Sequence, residues 1–80
     1  MNNQELITQL IGLAGYENLK KGVEIRFIDN RKKEYWLRNT GFFHIVSEDY
    51  DYTFEGDLEE ELINFFNSNN IKLVEGEIYD

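Results

Sequence analysis

The sequence predicts an α+β fold: a small antiparallel sheet of four or five strands with two helices, in the order α-β-β-β-(β)-α-β. Three observations predict it. Apolar residues recur at helical spacing near the N-terminus and again after residue 57. Between them, short runs alternate apolar with polar residues, the period of half-buried strands. Asn, Asp and Gly clusters bound those runs with turn chemistry. One sheet with both helices on one face accommodates this order.

Each element has a local reason. Asn2 or Asn3 can cap a first helix whose apolar face is Leu6, Ile7, Leu10, Ile11 and Ala14, with Gly15 as its stop. Gly12 costs that helix about 1 kcal/mol relative to Ala, which raises the question of a close contact there. Residues 16–22 read as a connection. Val23, Ile25 and Phe27 alternate with Glu24 and Arg26 in a first strand. Asp29 to Lys32 form a turn, Lys33 to Asn39 a second strand, and Phe42 to Val46 a third after Asn39-Thr40-Gly41. Tyr50, Tyr52 and Phe54 alternate with Asp51, Thr53 and Glu55, as a short fourth strand would. Asp57 and Glu60 fit a capping box opening a second helix with Leu58, Leu62, Phe65 and Phe66 inward and Ile63 beside them. Ile71, Leu73 and Ile78 belong to a final strand.

Length and composition narrow the class. Eighty residues correspond to a single domain, 1–80. With 41% hydrophobic and 15% aromatic residues, the chain has the material for a core. The absence of Cys excludes disulfide scaffolds and thiolate metal sites. Apolar stretches of a few residues fall far short of the roughly 20 that span a bilayer. The N-terminal stretch lacks a positive n-region and reads as a helix rather than a signal peptide. A cytoplasmic setting without membrane association is the expectation.

Charge is distributed unevenly. Residues 1–46 carry seven Lys/Arg against five Asp/Glu, and residues 47–80 one Lys against eleven Asp/Glu. The halves are therefore +2 and −10, within a total of −8. Eight of the acids fall between Glu48 and Glu61, where no basic residue occurs. Such a field opposes compaction through self-repulsion, so it calls for an explanation beyond folding. Asp57, Glu59, Glu60 and Glu61 have a partial one, since carboxylates are favoured at a helix N-terminus.

Catalytic and cofactor signatures are missing. The single His, His44, lies within an apolar strand and reads as structural. Neither Ser47 nor Ser68 sits in a nucleophile elbow, and no Gly-rich phosphate loop occurs. Asp49, Asp51, Thr53, Asp57 and Glu60 have calcium-loop spacing, but Phe54 occupies the position that must be Gly, and a strand precedes the loop. No catalytic residue, metal or cofactor is assigned. The basic residues Lys20, Lys21, Arg26, Arg31, Lys32, Lys33 and Arg38 read as solvated charges protecting strand edges, and the net −8 opposes direct nucleic-acid binding.

The acidic run offers a surface instead. If residues 49–57 are extended, Asp49, Asp51, Glu55 and Asp57 point one way and Tyr50, Tyr52 and Phe54 the other, with alternate residues about 6.6 Å apart. That is a row of negative charge on aromatic ballast, suited to the groove of a basic protein. The assigned partner-binding residues are Glu48, Asp49, Tyr50, Asp51, Tyr52, Glu55, Asp57, Glu59, Glu60 and Glu61. A second candidate patch is Tyr35, Trp36 and Arg38, because the sheet face away from the helices carries aromatics. The final strand or a second copy of the chain, in a homo-oligomer, would be its coverings.

In architecture and charge, though by no shared motif, the chain resembles small acidic phage-encoded inhibitors of the anti-CRISPR, DNA-mimic type. The resemblance implies a non-enzymatic protein that binds and inhibits a basic nucleic-acid-handling protein, such as a bacterial defence nuclease, in the host cytoplasm. It assigns no residue roles. The alternatives are an immunity protein or antitoxin, and a small nucleotide-binding module.

Overall fold

The computed structural model describes residues 1–80. Helix α1 spans Asn3–Ala14. Asn2 caps it: its Oδ1 accepts the Glu5 amide at 2.8 Å, and the Glu5 carboxylate accepts the Asn2 amide in return. Ile7, Leu10 and Ala14 are buried along one face. Gly15, at φ 87°, ends α1 in a conformation that non-Gly residues rarely adopt.

The chain does not continue as a plain connection. Tyr16–Lys20 form a short helix, α2, so the fold has three helices rather than two. The turn at Gly15 redirects the backbone, the Asn18 side-chain Nδ2 donates to the Ala14 carbonyl at 2.8 Å, and Leu19 becomes fully buried. Two hydrophobic residues in five, Tyr16 and Leu19, gave no helical period to read.

Five strands follow: β1 (Glu24–Asp29), β2 (Glu34–Asn39), β3 (Phe43–Val46), β4 (Asp51–Thr53) and, after helix α3 (Leu58–Ser68), β5 (Leu73–Tyr79). They form one sheet in the order β4-β3-β2-β1-β5. All its pairings are antiparallel. The α+β class, the fourth strand and, apart from the added α2, the element order stand as the sequence predicts.

Register fixes the faces. Ile25 pairs with Leu37, Phe27 with Tyr35, and Leu37 with Ile45, so these side chains share one face. All five are buried in one core with Ile7 and Leu10 of α1, Leu19 of α2, and Leu58, Leu62, Phe65 and Phe66 of α3. The helices therefore cover a single face. Gly76 pairs with Phe27 on that face, and a Cβ there would collide with Leu10 Cδ1 and press on the Arg26 carbonyl. Gly12, by contrast, has nothing within 4 Å of where a Cβ would stand.

The other face stays open. Across it run Asp51, Val46, Trp36, Arg26 and Glu77 in one register row, read from successive pairings. Beside that row lie Thr53, His44 and Arg38.

Candidate protein-binding surface

Strand β4 positions the acidic run at the edge of the sheet, paired only to β3. Tyr50, Tyr52 and Phe54 turn towards α3 and meet one residue. The Phe65 ring lies 5.3 Å from Tyr50, 5.5 Å from Tyr52 and 6.1 Å from Phe54, centroid to centroid. Contacts of this kind add about 0.5–1.5 kcal/mol each beyond area burial. The aromatic ballast is real, and it clamps the acidic segment onto the helix.

The row of charges is shorter than a fully extended 49–57 would give. Strand geometry covers Asp51–Thr53 alone, and Gly56, at φ 94°, bends the chain into α3. Three acids have partners within the chain. The Asp49 carboxylate accepts Lys33 Nζ at 2.8 Å, and that contact raises the lysine's pKa. Asp57 caps α3 by accepting the Glu60 amide at 3.0 Å, without the return bond that a full capping box would add. Glu59 accepts the Thr8 hydroxyl, tying α3 to α1. Glu48, Asp51, Glu55 and Glu60 are exposed, and Glu61 is half-buried. Those five make no hydrogen bond or ion pair through their carboxylates. They surround the β4 edge and the first turn of α3, the positive end of its dipole.

The second patch divides between the two faces. Tyr35 is not a surface residue: it points into the core and is 3% exposed. Its hydroxyl donates to Asp29 Oδ2 at 2.8 Å, and burial together with that bond pushes its pKa well above the ordinary range. Trp36 and Arg38 do lie on the open face. Trp36 packs on Tyr79 with centroids 5.1 Å apart, and the Arg38 guanidinium sits 5.3 Å from its ring. Both open-face arginines are engaged: Arg38 Nε donates to Glu24 at 3.2 Å, and Arg26 bridges Glu34 at 2.6 Å and Glu77 at 3.3 Å. His44 also stands on this side, half-buried rather than in the core, with Nδ1 3.2 Å from the Phe42 carbonyl.

Two features escaped the sequence reading. Asp29 is the only buried charged residue, at 4% exposure. Burial alone would raise its pKa, but the Lys33 and Arg31 amides, the Tyr35 hydroxyl and the Lys33 charge outweigh it and hold the carboxyl below the usual range. The turn residues announced an Asp in that loop, but not the buried hydroxyl it would meet. Exposed apolar side chains away from the acidic edge also went unread. Leu13, Tyr16 and Phe42 are exposed at 69%, 50% and 70%. Nothing in the alternation of β3 distinguishes Phe42, at the hairpin tip, from a strand residue.

No group of three or more His, Cys, Asp or Glu side chains is arranged to hold a metal ion. No helix is long and apolar enough to cross a membrane. Comparison with protein-family models, with curated proteins and with solved structures finds no match to this chain.

Proposed function

We propose that this protein is a binding protein whose acidic edge engages a basic, nucleic-acid-handling protein and blocks its nucleic-acid site; a bacterial defence nuclease is the partner that best fits such a role. The observation that carries the reading is the surface around β4. Carboxylates free of internal partners stand on a segment fixed by three aromatic contacts to Phe65. A preorganised anionic surface saves the ordering entropy that a flexible acidic tail would lose on binding. It also steers a basic partner and weakens with salt. The open face favours a protein over a nucleic acid as partner, because both of its arginines are already paired with carboxylates.

Affinity capture from bacterial lysate, followed by identification, tests the reading. The expected partner is basic, is released by duplex DNA and by high salt, and is not captured by the combined Asp51→Lys, Glu55→Lys, Glu60→Lys variant. Capture that survives those reversals overturns it.

A further inference from the structure

Between β4 and α3 runs a groove of about 360 Å³. Its apolar wall is Tyr50, Tyr52 and Phe65. Its polar wall comes from α3: Glu61, Asn64 and Ser68, which share a helical face with Phe65 through spacings of three and four residues. We infer that this groove is a seat for an arginine side chain of the partner, its guanidinium lying on the tyrosines and donating to Glu61. The inference rests on the proposed function and names the chemistry the same surface would read.

Three observations point to a guanidinium. First, Tyr52 is 49% exposed although it stacks against Phe65, so part of its ring remains available to a ligand. Second, Glu61 lines the same groove and its carboxylate has no partner within the chain, whereas Glu59, two residues earlier, accepts the Thr8 hydroxyl. An unpaired carboxylate on the groove wall can accept a charge-assisted, forked hydrogen bond from a guanidinium. Third, the groove joins an aromatic wall to a wall of acceptors. Arginine matches both: its plane stacks on aromatic rings while its N–H groups fork to oxygen acceptors. Lysine, a compact and strongly hydrated charge, gains less from the aromatic wall. Because β4 is an edge strand, the groove opens at the side of the sheet, where an extended partner segment can lie.

The test uses two short peptides of equal charge, alternating Gly with Arg and Gly with Lys, titrated into the intact chain at low salt and followed by amide and side-chain NMR. The expected result is roughly fivefold to tenfold tighter binding of the arginine peptide, with the largest shifts at Tyr52, Glu61 and Ser68. Tyr52→Leu and Glu61→Gln should each remove most of that preference, while Glu75→Gln leaves it unchanged. Equal affinity for the two peptides, or an arginine preference that survives both variants, overturns the arginine seat. If the peptides bind alike and the shifts spread over residues 48–61, the seat fails and the basic-partner reading stands. If neither peptide binds, both fail.

Discussion

The Tyr50 and Phe65 rings meet edge to face, with centroids 5.3 Å apart and planes at 84°. Phe65 is 7% exposed, and it also receives Tyr52 and Phe54. One side chain on α3 thereby packs against the chain on and to either side of a three-residue edge strand. Phe65→Ala should cost about 3–5 kcal/mol, the range for removing a buried aromatic. Urea unfolding measures that cost. Amide exchange should show faster opening at residues 50–54 than elsewhere, because the ring that packs against three of their aromatic side chains has gone.

Asp29 makes the acid limb of the stability curve predictable. Its carboxyl titrates below the usual range in the folded protein. A depressed folded value means that its contribution is fully present above the unfolded value of about 4 and is lost as pH falls through the folded one. Asp29→Asn should cost about 1–3 kcal/mol near neutral pH, because an amide cannot accept all the donors that converge there. The gap between wild type and variant should narrow as pH falls below the unfolded value of about 4. A gap independent of pH would show that the carboxylate charge plays no part.

Two glycines should respond in opposite directions. Gly12 lies on the exposed side of α1 with open space around it, so Gly12→Ala should stabilise by about 0.5–1 kcal/mol through helix propensity. Gly76 faces Leu10 across the core, so Gly76→Ala should destabilise by about 1–3 kcal/mol through overpacking. Thermal denaturation of both variants checks the pair.

Asn3 ties the two ends of the fold together. Its Nδ2 donates to Asn67 Oδ1 at 2.9 Å and to the Ile71 carbonyl at 2.7 Å, and its Oδ1 accepts the Leu73 amide at 2.9 Å. Asn3→Ala should cost about 1–3 kcal/mol, mainly from the partly buried Leu73 amide and Ile71 carbonyl left unpaired. Asn2→Ala, which removes a cap, should cost about 1 kcal/mol. Chemical denaturation ranks the two, and the reverse order would contradict these roles.

These residues show where sequence reading reaches and where it stops. Periodicity and capping chemistry are local, so α1, α3 and the succession of strands along the chain were legible from spacing alone. That Tyr50, Tyr52 and Phe54 share a face was legible too, because alternation dictates it; that Phe65 of α3 receives them was not. Asn2 and Asn3 are chemically identical, and only the tertiary structure separates the cap from the long-range tie. Tyr35 and Trp36 fall on opposite faces by the same alternation, but which face the helices cover depends on how α3 crosses the sheet. The shortened row of charges follows from Gly56, whose positive φ ends the extended stretch just where the charge pattern would have carried it on.

The central claim is that the acidic edge occupies the nucleic-acid site of its partner. Its most direct test is competition: the captured partner is titrated with a short DNA duplex in increasing concentrations of this protein. The account predicts mutually exclusive binding, with the apparent Kd for DNA rising in proportion to the protein added and the Asp51→Lys, Glu55→Lys, Glu60→Lys variant having no effect. A ternary complex, with the Kd for DNA unchanged at saturating protein, would contradict it.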